Sequence, residues 1–234
     1  MENIDNETVK VKTMPTSSFN YFGVNVTWLC QSGFLLQFKE KNVYIDPYKA
    51  PEDAPTADLI IVTHEHYDHC DPTTIGRLVG PETRIVASHS CQRKLSMFSQ
   101  LTSFVHPGDY PSSKYFYLKT IAAYNPSKSF HPRGNGMGVV IPINNRNFYH
   151  AGDTDFIPEM GWLKDIDVAF LPIGGKFTMD VEQAAKAANT IKPKVVIPMH
   201  YNSKDDIQAD PEQMRAKLAE GIKLEILEQA VAEI

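Results

Sequence analysis

Short apolar stretches rich in β-branched and aromatic residues recur along the chain, each closed by turn-forming residues. "VNVTWLC" and "GFLLQFKEKNVYIDP" predict short strands joined by tight turns. "DLIIVT", "TRIVAS", "DVAFLPI" and "KVVIPMH" are compact apolar runs, the pattern of strands buried on both faces. "KYFYLKTIAAY" predicts a further strand and "IKLEIL" a last one. "GMGVVIPINNRNFYHAGDTD" predicts a hairpin that turns at Asn144-Asn145 and runs into an Ala151-Gly152-Asp153 corner. Helix signals fall between the strands. "DPTTIGRLV" starts with Asp71 as N-cap and Pro72 at the first helical position. "SCQRKLSMFSQ" predicts a short helix, and "DVEQAAKAANTI" one capped by Asp180 with Gln183 at the capping-box position. "DPEQMRAKLAE" predicts a helix closed by Gly221. The first half reads as more antiparallel and the second as more α/β, which implies sheets covered by helices in layers.

No Pro/Gly/Ser linker divides the 234 residues, so residues 1–234 read as one domain, with residues 1–20 as a peripheral segment. At 42% hydrophobic and 22% charged, the composition is that of a globular protein able to bury its own core. A net charge of −5 and a pI of 5.9 leave no basic face for nucleic acid or an anionic membrane. No apolar run reaches the roughly 18 residues of a spanning helix, and "MENIDNETVK" is too polar and acidic for a secretory signal. Three cysteines without a CxxC spacing argue against a disulfide framework and for a reducing, cytoplasmic setting.

The chemistry gathers in "THEHYDHCD", which holds His64, His66, Asp68 and His69. Packing titratable groups this closely is costly unless something binds them together. His64 and His66 are two apart, so in extended backbone they point to one side and can share an ion. Asp68 and His69 follow as the chain turns toward a helix and can face a second. Two further apolar strands end in ligand-type residues, "NFYHAG" in Asp153 and "KVVIPM" in His200. Strand ends are where α/β proteins assemble sites. Imidazole and carboxylate together suit zinc, manganese or iron. One ion needs only about four ligands, so the larger set argues for two. Cys70, beside His69, reads as a buried structural thiol that the helix start turns away.

HxHxDH after an apolar strand, followed in order by "AGDTD" and "IPMHYN", resembles the signature of the metallo-β-lactamase fold. "YHAGDT" and "LPIGGKFTMDVEQAAKAANTIKPKVVIPMHY" resemble the branch containing the ascorbate-6-phosphate lactonases, and the resemblance runs from about Val24 to beyond His200. It implies a four-layer αβ/βα sandwich with a two-metal centre at one edge. By position His64 and His66 would hold one ion with a third histidine; Asp68, His69 and His200 would hold the other; Asp153 would bridge both. The family's third histidine corresponds to a position within "AAYNPSKSFHPRGNGMG", where this chain has Ala123-Tyr124-Asn125. Both Asn125 and His131 are candidates, and His131 is preferred as the better donor. Relatives commonly carry Gly-His where Cys30-Gln31 stands, which puts a polar contribution from that turn in doubt.

Two divalent ions lower the pKa of a water they hold and polarise the attacked carbonyl or phosphoryl oxygen. The resemblance therefore implies hydrolysis of an ester, lactone or phosphodiester, with Asp68 and Asp153 as the catalytic carboxylates. Lys128 and Arg133 near His131, and Lys176 past another strand end, are candidate contacts to phosphate or carboxylate. His150 is a candidate for the substrate pocket. The substrate expected is a small anionic molecule, with no nucleic-acid or membrane partner, and the family tendency toward homo-oligomers extends to this chain by analogy. The rival readings are a nucleic-acid phosphodiesterase of the same fold and a metal-binding protein without hydrolytic activity.

Overall fold

The computed structural model of the chain describes residues 18–113, 116–203 and 206–231. Most of the segment expected to be peripheral, and Lys114-Tyr115 of one expected strand, lie outside these residues. The first sheet takes its strands in sequence order: β1 (Phe19–Tyr21), β2 (Val24–Cys30), β3 (Gly33–Phe38), β4 (Lys41–Ile45), β5 (Leu59–Val62), β6 (Arg84–Ser88) and β7 (Thr102–Val105). Strands β1 to β4 pair antiparallel and β4 to β7 parallel. Phe19 and Asn20 pair as part of the edge strand of this sheet. The second sheet runs β13 (Lys223–Leu224), β12 (Val195–Met199), β11 (Val168–Pro172), β10 (Arg146–His150), β9 (Gly136–Ile143), β8 (Lys119–Ala123).

Side-chain alternation sorts the first sheet into two faces. Phe34, Leu36, Val43, Ile45, Leu59 and Ile61 enter the core shared with the second sheet. Leu35, Tyr44, Ile60 and Val62 point the other way, onto Ile75 and Leu78 of α1 (Pro72–Leu78). Each such fully buried side chain contributes about 1.5–3 kcal/mol. Helix α2 (Val181–Ile191) lays Ala184, Ala187, Ala188 and Ile191 against the second sheet. Helix, sheet, sheet, helix is the layered α/β sandwich expected.

Local signals decide the ends. Asp71 accepts from Thr73 N and Thr74 N with Pro72 at N1, which starts α1 directly after the histidine cluster. Asp180 accepts from Gln183 N to start α2, but Gln183 Oε1 has no partner among the described residues, so the reciprocal half of the capping box is missing. Asn144 (φ 51°) and Asn145 (φ 59°) take the left-handed conformation that a two-residue hairpin requires. Three expectations are corrected. The segment from Ser90 to Gln100 forms two 3-10 turns, His89–Gln92 and Ser96–Leu101, the second without a side-chain cap. Pro211–Lys217 is also 3-10 and ends at Leu218 rather than Gly221. Only Lys223 and Leu224 of "IKLEIL" pair as strand.

Candidate metal centre

The parallel strands of both sheets deliver their carboxyl ends to one edge, and side chains from distant parts of the chain meet there. β4 leads into Asp46, β5 into Thr63 and His64, β10 leads to Asp153, and β12 to His200. His131 comes from the loop between β8 and β9, and Gln31 from the turn between β2 and β3. Gly152 makes the Asp153 corner possible. It has φ 64°, and a Cβ there would meet Met137 O at 2.7 Å.

Asp153 sits at the centre. Its Oδ2 lies 3.1 Å from His200 Nε2, 3.3 Å from His69 Nε2, 3.3 Å from His131 Nε2 and 4.0 Å from His64 Nε2. On one side His66 Nδ1 is 3.0 Å from His64 Nε2 and 3.1 Å from His131 Nε2. On the other, ligand-type atoms of Asp68, His69 and His200 fall within 4.8 Å of one another. The structure thus gathers every residue predicted as a ligand, in the triplets His64–His66–His131 and Asp68–His69–His200, with His64, His69 and Asp153 forming a third that joins them.

The outer nitrogens fix which proton each ring carries. Thr63 Oγ1 donates to Asp46 Oδ2 at 2.6 Å, so it can only accept from His64 Nδ1 at 3.1 Å. His69 Nδ1 donates to Asp46 Oδ2 at 2.7 Å. His131 Nδ1 faces two acceptors, Asn125 Oδ1 at 2.9 Å and Phe177 O at 3.2 Å. In the neutral imidazoles all three Nε2 atoms consequently point lone pairs inward, the arrangement of metal-bound histidines with oriented outer partners. His69 Nε2 and His200 Nδ1 are buried without a hydrogen-bond partner among the described residues. Converging lone pairs and an unpartnered buried nitrogen fit a cation bound between them, and the mixed nitrogen–oxygen donor set fits zinc, manganese or iron.

Electrostatics agree for His64 and His66, while His69 must give up a proton before it can ligate. Burial, with the neighbouring His69, holds His64 well below the usual imidazole range, and burial with His131 lowers His66. Both stay neutral, as ligands must. For His69, burial is outweighed by the Asp153 and Asp46 carboxylates, which raise it well above its ordinary value. Burial pushes Asp153 up, but His200 and His69 overcome it and hold the carboxyl well below the carboxylate range. Burial likewise opposes ionisation of Asp68, yet His69 and the Gln31 hydrogen bond lower it.

Several sequence expectations need correcting. Gln31 does contribute to the site: its Nε2 donates to Asp68 Oδ2 at 3.0 Å and lies 3.4 Å from His200 Nε2, while Ser203 Oγ donates to its Oε1. Its backbone carbonyl also accepts from His200 N at 3.0 Å. Asn125 stands behind His131 and orients that ring, rather than competing with it. His150 is fully buried and does not reach the pocket. Gly152 N donates to its Nδ1 at 3.1 Å, so Nε2 donates to Ser32 O at 2.8 Å and no ring nitrogen remains for a substrate. Lys128 clamps Asp155 Oδ1 (2.7 Å) and the carbonyls of Gly175 (3.0 Å) and Thr178 (2.7 Å). Arg133 pairs with Glu159 at 2.7 Å over the Tyr124 ring, away from the ligands. Lys176 pairs with Asp206 at 2.7 Å and does not line the pocket. Cys70 is buried beside Cys91, away from the ligand set.

Asp46 was not anticipated. The signal was present in "VYIDP", a carboxylate ending an apolar strand as Asp153 does. Also unanticipated were the walls of the opening over the ligands: Tyr67, Phe130, Phe177 and Asp206 border a pocket of about 330 Å³ that reaches His66, Asp68, His131, Asp153 and His200.

A two-sheet sandwich with this histidine–aspartate edge defines the class, and residues 25–200 match the family model of the β-lactamase superfamily domain. At the level of whole chains, similarity extends to the UPF0173 metal-dependent hydrolase of Pyrococcus abyssi, 34% identical over 87% of this chain and 96% of the relative. That of Thermoplasma acidophilum is 37% identical over 82% and 90%. Among solved structures, a Parabacteroides distasonis protein described as a metal-dependent hydrolase superposes with a TM-score of 0.81 at 32% identity, covering 92% of this chain and 99% of that one. The metallo hydrolase Igni18 of Ignicoccus hospitalis gives 0.74 at 29% identity, covering 89% and 96%. The chain belongs to the UPF0173 metal-dependent hydrolase family of the β-lactamase superfamily. Among the described residues, no helix is long and apolar enough to cross a membrane.

Proposed function

We propose that this chain holds two divalent ions, zinc in preference to manganese or iron, and hydrolyses an ester or lactone bond in a small molecule. His64, His66 and His131 would hold one ion and Asp68, His69 and His200 the other, with Asp153 placed between the two sets. The observation that carries this reading is the position of Asp153 Oδ2, within 3.1–4.0 Å of four imidazole nitrogens drawn from both triplets. When bound, such ions supply Lewis acidity toward the attacked oxygen and make a water nucleophilic near neutral pH.

The protein's own residues do the rest. Thr63, Asp46 and Asn125 hold three imidazoles in the ligating tautomer. Asp68 borders the pocket with Oδ2 fixed by Gln31, which places a carboxylate beside the reacting bond to take up the proton that water loses. Asp153, with its Oδ2 set among four imidazole nitrogens, is a ligand more than a base. The pocket and the net charge of −5 suit a small substrate rather than a nucleic acid.

Asp153→Ala and His200→Ala test the assignment. Each should abolish hydrolysis of simple aryl esters and lower the bound metal measured by elemental analysis. A variant that keeps full metal and full rate removes that residue from the centre. Full metal in the wild type with no turnover on any ester, lactone or phosphodiester would favour the non-catalytic reading.

A further inference from the structure

The pocket over the ligand cluster has an unequal chemical character. Its floor is the ligand set, and its walls are aromatic: Phe130 and Phe177 meet edge to face at 4.7 Å and 83°, and Tyr67, which packs on Tyr48, also lines it. Phe130 is 41% exposed and Tyr67 55% exposed, so both rings offer apolar area that a bound group would cover. Phe177 is backed by Lys176 Nζ, 5.0 Å from the ring centroid, and that ammonium is itself paired with Asp206. No lysine or arginine lines the pocket among the described residues, and the carboxylate on its wall beyond the ligands is Asp206. The three cations the sequence offered to an anion are engaged with Asp155, Glu159 and Asp206. An anionic group remote from the scissile bond would therefore meet aromatic rings, the Tyr67 hydroxyl and a carboxylate that already holds Lys176, with no lysine or arginine on the wall among the described residues to replace its lost water.

We infer that the pocket selects an uncharged ester or lactone whose apolar aryl or acyl group packs among Phe130, Phe177 and Tyr67. This deepens the hydrolytic reading and rests on it for the fate of the bond. The binding claim stands on the walls alone. A volume of about 330 Å³ lies at the small end of ligand pockets, which suits one ring or a short acyl chain.

The test uses the zinc-loaded full chain and two unreactive amides, 4′-methylacetanilide and 4-acetamidobenzenesulfonate, which share a ring and differ in charge at its far end. Binding is read by ligand-observed NMR titration, with metal content measured alongside. The neutral amide should bind about tenfold or more tightly than the sulfonate. Phe177→Ala and Phe130→Ala should each weaken it about three- to tenfold, the range of one aromatic pair, with metal content unchanged. Equal or tighter binding of the sulfonate overturns the inference, and so does wild-type binding by both alanine variants. The matched esters, 4-methylphenyl acetate and 4-acetoxybenzenesulfonate, separate the two claims. Preferential cleavage of the neutral ester, with KM rising in the alanine variants, supports the pocket assignment. The expected amide pattern with neither ester cleaved supports it too, while counting against hydrolysis.

Discussion

Replacing Asp46 by asparagine removes one charge and one acceptor oxygen from behind His69 without disturbing the backbone, because asparagine tolerates the local φ of 45°. Asp46 is fully buried and takes three donors: Thr63 N at 2.7 Å, Thr63 Oγ1 at 2.6 Å and His69 Nδ1 at 2.7 Å. An asparagine keeping its oxygen on the latter two must turn its amide NH2 against Thr63 N–H, which leaves two buried donors opposed. That costs about 1–3 kcal/mol of stability. The larger consequence is at the metal. Without the carboxylate His69 is a weaker base, and loss of such an outer partner lowers metal affinity about 10- to 100-fold, or about 1.4–2.8 kcal/mol. Because His69 groups with Asp68 and His200, the loss should fall on one of two sites. Zinc titration of the metal-free variant against a chromophoric chelator resolves this. One site weakens by that factor and the other stays within about threefold, inside the context error of such comparisons. A folded Asp46→Asn protein that binds both equivalents with wild-type affinity would refute the reasoning.

His131→Ala should lose the ion shared with His64 and His66. Asn125→Ala should keep both ions and only weaken that site, since it removes one of the two acceptors facing His131 Nδ1 and leaves Phe177 O; metal analysis of the two variants decides, and loss of an equivalent in Asn125→Ala alone would reverse the roles. His150 carries a pH dependence. Burial holds its pKa down, so below the ordinary imidazole value of about 6.5 the unfolded chain takes a proton that the folded one refuses, and folding stability falls as pH drops. His150→Gln should therefore be destabilised relative to wild type at pH 7.5, with a smaller gap at pH 5.5 in denaturant melts; an equal gap at both pH values would contradict this.

The ligand set was legible because its residues announce themselves by type and place. His64, His66, Asp68 and His69 are crowded in sequence, and Asp153 and His200 each end an apolar strand. Asp46 ends a strand too, but a single carboxylate before proline also reads as an ordinary turn, and only the fold brings it to His69. The cations misled for a related reason. Lys128 and Arg133 lie close in sequence to His131, yet their lengths let them reach Asp155 and Glu159, and no local pattern reports a partner that far along the chain. Strands with an alternating or fully apolar pattern were visible because burial on a pleated sheet demands it, as in Val43, Tyr44 and Ile45. The 3-10 turns were not, since a cap such as Asp210 starts an α-turn and a 3-10 turn alike. The aromatic walls could not be read at all, because Tyr67, Phe130 and Phe177 come from three separate loops.

A pair of ions sharing Asp153 is open to anomalous diffraction at the zinc edge from crystals of the zinc-loaded chain. Two peaks are predicted about 3.5–4 Å apart, one among His64, His66 and His131, the other among Asp68, His69 and His200, with Asp153 touching both. A single peak, or none within the roughly 2.0–2.3 Å of a zinc ligand bond from Asp153 and His200, would contradict a shared pair.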